Sequence, residues 1–474
     1  MAIIGRTKEI GELQRIFNYR KSAFVAVYGR RRVGKTFMIR EAFSQSFDFQ
    51  CAGLANANLS TQLANFHIAL LRCYPNMVSA PSAGDWLSAF EQLIAQLSKS
   101  TKKRKLVFLD ELPWMDTAQS GFIPALEHFW NSWASTRKDI ILIACGSAAG
   151  WMISNLINNT GGLHNRVTHR IHLHPFTLQE CEQFFKSKQS VYDRYNIMLL
   201  YMVMGGIPFY LEQVRPSDSA AQNINRLCFE PDGMLRSEFD NLYRSLFNKA
   251  EKHIAIIGLL SKKARGMTRK EIIAGTRIPD GGTLTKILDE LAESDFIRKY
   301  ATYGNRERNS LYQLTDCYSL FYLKWIRNSS DLDANVWISQ LDSPRQRAWA
   351  GYAFEQACLA HVPQIKKALG ITGVQTSTSS WISTGSGTGA QIDLVIDRRD
   401  QVINICEMKF SINDFTINKK YSEELKNKLR VFRRETETRK ALFLTIITSF
   451  GLTKNVYSSL AQNELTMDVL FEEA

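Results

Sequence analysis

The chain has 474 residues, of which 45% are hydrophobic and 22% are charged. This length suits two to four domains of about 100–200 residues each, and the composition excludes disordered, collagen-like and coiled-coil chains. Lys and Arg outnumber Asp and Glu by 59 to 46, a formal net charge of +13 that favours a polyanionic partner without establishing one. No apolar run is long enough to cross a membrane and no secretion signal is visible. We therefore predict a cytoplasmic protein without membrane contact.

Short apolar runs alternate with helical patterns through residues 1–176, which is typical of a parallel sheet with crossover helices. The predicted strands are residues 24–28, 47–52, 106–110, 140–145 and 170–173. We assign residues 1–176 to one α/β domain on this pattern.

A glycine-rich sequence follows the first predicted strand and matches the pattern G-x-x-x-x-G-K-[ST]. Its residues are Gly29, Arg30, Arg31, Arg32, Val33, Gly34, Lys35 and Thr36. A strand before it and a helix beginning at Thr36 are the context that this phosphate-binding loop requires. Backbone N–H groups and the helix N-terminus would surround the phosphates of a nucleotide. Lys35 would then reach the β- and γ-phosphates, and the Thr36 hydroxyl would bind Mg²⁺.

The predicted strand 106–110 ends in two consecutive acids, Asp110 and Glu111. Asp110 would complete the Mg²⁺ shell through water, and Glu111 would polarise the water that attacks the γ-phosphate, with an exposed surface acid as the alternative. General-base assistance of this kind is worth about 10²–10⁴ in rate. ATP is favoured over GTP because no N-K-x-D base-reading motif follows a predicted strand.

Two further residues are candidates at the carboxyl end of the sheet, where open parallel sheets bind ligands. Ser147 follows the predicted strand 140–145 and would sense the γ-phosphate. Arg166, in a Gly-rich segment, would stabilise negative charge as an arginine finger does. An ordinary surface arginine is an equal alternative for Arg166.

The pattern changes to helical after residue 177, and we assign residues 177–248 to a helical lid that is interrupted at 205–208. Three short helices at 252–260, 268–274 and 282–294 precede strands at 296–303 and 310–314, which predicts a winged helix over residues 249–316. Linker helices follow over residues 317–345.

The expected DNA-reading helix of this segment is acidic, because Lys286 stands among Asp289, Glu290, Glu293 and Asp295. Such a helix would repel phosphate, so a packing role is favoured over DNA contact. A contact to the DNA backbone stays open through the basic residues nearby, which are Arg265, Arg269, Lys270, Arg277, Arg306 and Arg308.

Two short motifs carry a family resemblance. Gly5, Arg6 and Glu9 resemble the G-R-x-x-E box that opens AAA+ ATPases, and Gly206-Ile207-Pro208 is similar to the G-x-P motif of their signal-transduction (STAND) branch. With the winged helix, residues 1 to about 320 resemble the archaeal-type ATPase family of that branch. The resemblance implies that Pro208 lies near the adenine, and the alternative is a simple helix break.

Residues 346–474 are predicted to form a separate α/β domain. A helix at 350–368, a Ser/Thr/Gly-rich loop at 376–389, strands at 391–396 and 402–410 and a basic helix at 419–440 follow one another. Centring the hairpin turn between Asp397 and Gln401 places residue 393 opposite about 405. Asp393, Glu407 and Lys409 then share one face of the sheet, where the two carboxylates could share one cation.

This arrangement resembles the PD-(D/E)XK nuclease superfamily, members of which close chains of the archaeal-type ATPase family. The resemblance implies that Asp393 and Glu407 hold Mg²⁺ and that Lys409 positions or activates the hydrolytic water. Glu355 matches the glutamate that the first helix of such domains contributes. Gln391 departs from the pattern, because many relatives have a second acid there. A nuclease-like fold that only binds is the alternative.

Histidines 164, 169, 172 and 174 raise the question of zinc, and His172 and His174 would lie on one face of a strand. No nearby cysteine completes a tetrahedral set, so histidines satisfied by hydrogen bonds are favoured over a metal site.

These features together predict an α/β multidomain protein: a P-loop AAA+ ATPase with a helical lid, a winged helix and a C-terminal restriction-endonuclease-like domain. It would bind ATP and Mg²⁺, hydrolyse ATP, form a nucleotide-dependent homo-oligomer and couple nucleotide state to a nuclease-like domain that acts on DNA or RNA. One alternative is a signalling switch whose C-terminal domain only binds a partner. Another is an initiator-like ATPase that remodels DNA.

Overall fold

The computed structural model describes residues 3–44, 46–77, 81–159, 161–247, 249–304, 310–329, 335–383 and 389–474. They form two compact units. The first comprises Met1–Pro175 with Glu293–Asp295, and the second comprises Phe176–Ala292 with Phe296–Ala474. No described helix has the length and apolar character needed to cross a membrane.

The strands are β1 (Ala23–Tyr28), β2 (Phe49–Ala52), β3 (Lys105–Asp110), β4 (Ile140–Gly146), β5 (His169–His172), β6 (Met267–Thr268), β7 (Ile297–Tyr300), β8 (Leu311–Leu314), β9 (Thr376–Ile382), β10 (Gln391–Arg398), β11 (Val402–Lys409), β12 (Ala441–Thr448) and β13 (Asn463–Thr466). The helices are α1 (Thr7–Asn18), α2 (Lys35–Ala42), α3 (Leu59–Cys73), α4 (Trp86–Lys99), α5 (Leu112–Met115), α6 (Phe122–His128), α7 (Ala149–Trp151), α8 (Leu178–Ser187), α9 (Arg194–Met204), α10 (Pro208–Leu211), α11 (Ala220–Cys228), α12 (Glu238–Leu246), α13 (Glu251–Leu260), α14 (Arg269–Thr276), α15 (Gly282–Glu293), α16 (Cys317–Phe321), α17 (Val336–Ser339), α18 (Pro344–Ala360), α19 (Val362–Ala368) and α20 (Lys419–Thr436).

The first unit is built on a five-stranded parallel sheet in the order β2-β3-β4-β1-β5. Every residue of β3 and β4 is buried, as expected for parallel strands covered on both faces. Register pairs Tyr28 with both Gly146 and His172, and Ala52 with Asp110. The strands therefore all end at one edge of the sheet, and the predicted parallel α/β core is confirmed.

In the second unit, α13, α14 and α15 accompany a three-stranded antiparallel sheet in the order β6-β8-β7. This element order is the one that the winged-helix prediction requires, and the assignment stays a prediction. The turn between β7 and β8 carries Arg306 and Arg308, which lie outside the described residues. On α15, Lys286 lies 3.9 Å from Glu290, and on α14, Arg269 pairs with Asp280.

The C-terminal part of the second unit contains a mixed sheet in the order β13-β12-β11-β10-β9. The pairs β9–β10 and β10–β11 are antiparallel, whereas β11–β12 and β12–β13 are parallel. Helix α18 lies against β11. Side chains on the facing sides of this helix and strand therefore meet at one part of the sheet.

Two expectations for this part were wrong. The loop predicted at 376–389 contains strand β9, because Trp381 is buried against Phe432 of α20 and the strand pairs with β10; residues 384–388 of it lie outside the described residues. The basic helix ends at Thr436 and not at 440, and Lys440 instead forms an ion pair with Asp397 at 2.6 Å.

Candidate functional site

The loop between β1 and α2 has a backbone that only glycine accommodates at Gly29. Its φ is 141°, and a Cβ there would lie 2.3 Å from the carbonyl oxygen of Leu173. Helix α2 begins directly after Gly34, so the loop turns from the strand into the helix N-terminus. The predicted strand, loop and helix are thus present, with the helix beginning at Lys35, one residue earlier than expected.

The side chain of Lys35 is buried and held at this loop. Its Nζ donates to the carbonyl oxygens of Gly29 at 2.9 Å and Arg30 at 2.8 Å, and to the Ser147 Oγ at 3.0 Å. Burial lowers the pKa of Lys35, against the opposing effect of the Asp110 and Glu111 carboxylates. The ammonium therefore lies among the backbone groups of the loop. A phosphate bound there would contact the ammonium and the loop backbone together.

Thr36 and Asp110 are joined directly, although they stand on different elements. The Thr36 hydroxyl at the start of α2 donates to the Asp110 Oδ2 at 2.9 Å, and Asp110 is the last residue of β3 and is buried. A hydroxyl and a carboxylate at this spacing are the pair that P-loop proteins use for Mg²⁺. These two residues could hold that ion.

Ser147 links Glu111 to Lys35. Its hydroxyl donates to the Glu111 Oε1 at 2.7 Å, and its backbone N–H donates to the Oε2 of the same carboxylate at 3.2 Å. Glu111 itself has a left-handed backbone, with φ 43°. The structure thus brings Lys35, Ser147 and Glu111 together at the carboxyl ends of β3 and β4.

Arg6 also contacts the phosphate-binding loop, although it was not among the residues predicted to form the nucleotide site. It is buried and donates from Nη2 to the carbonyl oxygen of Val33 at 3.2 Å. The G-R-x-x-E box was the signal that could have identified it.

Arg166 is not brought to these residues, and Pro208 belongs to the other unit. Arg166 is exposed, and none of its described contacts reaches Lys35, Asp110 or Glu111. Pro208 begins α10 in the second unit, after Gly206, whose φ is 68° and whose Cβ would lie 2.2 Å from the Phe176 carbonyl oxygen. The proposed roles of Arg166 and Pro208 stay predictions.

A second group of polar side chains lies on the C-terminal sheet. Register pairs Leu394 with Cys406 and Asp397 with Ile403, and continuing it by one residue puts Asp393 opposite Glu407 and not opposite 405. The prediction was off by two residues because β10 extends to Arg398, which moves the turn toward Gln401, where φ is 67°. A shift of two residues keeps the same face, so Asp393 and Glu407 are neighbours on one face.

Glu407 is buried and surrounded by donors. The Tyr421 hydroxyl donates to its Oε1 at 2.8 Å, the Lys428 Nζ to its Oε2 at 2.7 Å, and the Lys409 Nζ lies 3.1 Å from its Oε1. Burial alone would raise the pKa of Glu407, but the charges of Lys428 and Lys409 hold it below its ordinary value. Glu407 is therefore an ionised carboxylate.

Glu355 differs from Glu407 in that its pKa is raised and not lowered. Burial, the neighbouring charge of Asp393 and a hydrogen bond with Asp393 raise the pKa of Glu355 to about 9. The Gln391 amide donates to the Asp393 Oδ1 at 2.6 Å. Glu355 therefore keeps its proton near neutral pH, because burial and the adjacent carboxylate disfavour a further negative charge on it.

One small pocket is lined by Glu355, Asp393 and Gln391 together with Arg298, Tyr300 and Gln313 of β7 and β8. The Arg298 Nε donates to the Gln313 Oε1 at 2.8 Å. Burial lowers the pKa of Arg298, and the charges of Glu355 and Asp393 are among the effects that oppose it. Sequence reasoning missed Arg298, Tyr421 and Lys428; only Lys428 had a signal, its place in the basic helix.

The pKa of Glu355 predicts how stability depends on pH. With a pKa of about 9 in the folded chain and an ordinary value near 4.5 when unfolded, the folded state retains a proton that the unfolded state releases. Stability from this group is therefore present at acidic pH and falls as pH rises between these values. The glutamine of Glu355→Gln does not titrate. Relative to its value at acidic pH, the free energy of unfolding of this variant should therefore exceed that of the parent at pH 8 by on the order of a few kcal/mol.

The measurement is urea unfolding of the parent and of Glu355→Gln from pH 5.5 to 8.5 without divalent metal. Glu424→Gln, an exposed position on α20, is the control and should follow the parent. If the free energy of unfolding changes with pH in the same way for the parent and Glu355→Gln, the pKa of Glu355 is not raised in the folded chain.

Comparison with known proteins identifies an ATPase domain in the N-terminal part of the chain. Residues 3–214 match the model of a family described as an ATPase domain predominantly from Archaea. With the loop 29–36, this match makes the chain a P-loop ATPase. The ATPase is 21% identical over 427 residues to an uncharacterized protein, MJECL04, of Methanocaldococcus jannaschii, covering 89% of this chain and 90% of that protein.

Among solved structures, the ATPase is similar to the Walker-type ATPase PABY2304 of Pyrococcus abyssi, with a TM-score of 0.50 and 16% identity over 68% of this chain and 96% of that one. The ORC2 protein of Aeropyrum pernix matches with a TM-score of 0.40 and 14% identity, over 73% of this chain and 95% of that one. The first likeness concerns the fold, and the second is too distant to support an argument.

Proposed function

We propose that the ATPase binds ATP with Mg²⁺ at the loop 29–36 and hydrolyses it with Glu111 as the general base. Lys35 contacts the β- and γ-phosphates, and Thr36 and Asp110 hold the metal. The hydrogen bond of 2.9 Å between Thr36 and Asp110 supports the metal assignment. The contacts of Ser147 with both Glu111 and Lys35 support its role as a sensor of the γ-phosphate.

The second part of the proposal is a Mg²⁺-dependent nuclease-like site in the C-terminal domain, acting on DNA or RNA. One arrangement carries it: Glu355, Asp393 and Gln391 line one small pocket, and Glu407 lies opposite Asp393 when the strand register is continued. A divalent cation would stabilise the ionised form of Glu355 beside Asp393. Asp393 and Glu407 would hold the ion, which would polarise a phosphodiester, and Lys409 would position the water.

ATP state would control access to this site. Arg298 and Tyr300 of the predicted winged helix line the same pocket as Glu355 and Asp393. A nucleic acid that approaches the carboxylates would therefore have to displace β7 or its side chains. We propose that a change in this segment, driven by the nucleotide, uncovers the carboxylates.

A second candidate is a switch whose C-terminal domain only binds a partner. The contacts of Glu407 favour it, because two lysines and a tyrosine already satisfy that carboxylate. The initiator-like alternative has less support, since Lys286 on α15 is near Glu290 and the rest of that helix is acidic.

The test is a cleavage assay with the full chain. Single- and double-stranded DNA and RNA are incubated with Mg²⁺ or Mn²⁺, each with ATP, with ADP and with no nucleotide. We expect cleavage that requires the divalent ion and changes several-fold with ATP. A chain that leaves every nucleic acid uncut, and whose melting temperature does not respond to Mg²⁺ or Mn²⁺, would instead support the partner-binding switch.

A further inference from the structure

Three potential metal ligands meet at the end of β5 in the first unit. His172 is the last residue of this strand, His174 follows two positions later, and Asp295 is a residue of the same compact unit. One ligand atom from each of the three lies within 4.8 Å of the others. This site is distinct from Thr36 and Asp110.

Both histidine rings lie close to the Asp295 carboxylate, and one of them stacks on a tyrosine. The His174 Nδ1 lies 3.0 Å from the Asp295 Oδ2, and the His172 Nε2 lies 3.6 Å from the same oxygen. The His172 ring stacks on Tyr28, with centroids 4.7 Å apart and planes inclined by 16°. Because Tyr28 directly precedes Gly29, the stack fixes the His172 ring beside the phosphate-binding loop.

The Nε2 of His172 is buried and has no hydrogen-bond partner among the described residues. The ring bonds to the backbone carbonyl of Glu293, and the atom that donates is therefore Nδ1. Nε2 then carries the lone pair and faces Asp295. A histidine that donates one N–H to a carbonyl and directs the other nitrogen at a carboxylate has the arrangement of a metal ligand.

We propose that His172, His174 and Asp295 form a binding site for one transition-metal ion of the zinc class. Two imidazole nitrogens and one carboxylate oxygen are donors that suit Zn²⁺, Co²⁺ or Ni²⁺ better than Mg²⁺ or Ca²⁺. Three protein ligands leave a coordination position for water. The bound ion fixes Asp295 to the end of β5, next to the strand that leads into the phosphate-binding loop.

The experiment titrates the full chain, freed of metal with a chelator, with Zn²⁺ by calorimetry and with Co²⁺ by visible absorption, without nucleotide. The parent should bind one ion per chain. His174→Ala and Asp295→Asn should each bind at least tenfold more weakly. His164→Ala is the matched control, because His164 is exposed and its Nδ1 lies 3.1 Å from the Asn159 carbonyl oxygen, and it should bind as the parent does.

Circular dichroism of the metal-free variants checks that each is folded, and Asp295→Asn, which preserves shape, serves if His174→Ala does not fold. The proposal is overturned if the parent shows no saturable binding of Zn²⁺ or Co²⁺. It is equally overturned if both variants bind as tightly as the parent, or if the Co²⁺ spectrum shows thiolate ligation, which would assign the ion to a cysteine.

Discussion

Glu111→Gln should lower the rate of ATP hydrolysis by about 10²–10⁴-fold, because the amide cannot accept the proton of the attacking water. Binding of ATP should persist, since Lys35, Thr36 and the loop backbone are unchanged. The glutamine oxygen can still accept from the Ser147 hydroxyl, which contacts the Glu111 Oε1 at 2.7 Å in the parent. Local geometry is therefore expected to survive.

Steady-state hydrolysis and equilibrium binding of a fluorescent ATP analogue separate these two effects. Lys35→Ala is the complementary variant and should lose binding, because its ammonium contributes the main side-chain charge at the phosphates. Glu91→Gln, an exposed change on α4, should leave both quantities unchanged. Hydrolysis by Glu111→Gln at the parent rate would exclude Glu111 as the base.

Asp393→Asn should abolish metal-dependent cleavage while ATP hydrolysis continues at the parent rate. The asparagine oxygen can still accept from the Gln391 amide, which donates to the Asp393 Oδ1 at 2.6 Å, so the fold should tolerate the change. What the variant loses is a negative oxygen ligand for the ion. The thermal shift produced by Mn²⁺ should disappear together with cleavage.

Glu407→Gln should have the same effect on cleavage but a larger effect on stability. Breaking one side of a buried ion pair typically costs about 3–5 kcal/mol, and this change leaves Lys428 and Lys409 without their carboxylate. Asp393→Asn is for that reason the cleaner variant. Asp400→Asn, in the exposed hairpin turn, is the matched control. If Asp393→Asn cleaves and responds to Mn²⁺ as the parent does, Asp393 is not a ligand.

Features that depend on neighbours along the chain could be predicted from the sequence. The loop 29–36 needs only a strand, a glycine-rich turn and a helix in succession, and Asp110 and Glu111 need only a buried strand before them. Because parallel strands end at one edge, their order along the chain was enough to predict that Lys35, Asp110 and Ser147 would meet. The shared face of Asp393 and Glu407 likewise followed from the two-residue period of strands.

Contacts between distant segments were set by folding and could not be predicted from the sequence. The turn that extends β10 to Arg398 set the register opposite Glu407, and packing of Trp381 against Phe432 made β9 a strand despite its loop-like composition. Lys428 and Arg298 joined the carboxylates through folding, since no local pattern marks Arg298 and the basic helix alone does not single out Lys428. Asp295 stands 121 residues after His174. No spacing rule brings these two residues together, because burial of apolar surface elsewhere determines where that segment lies.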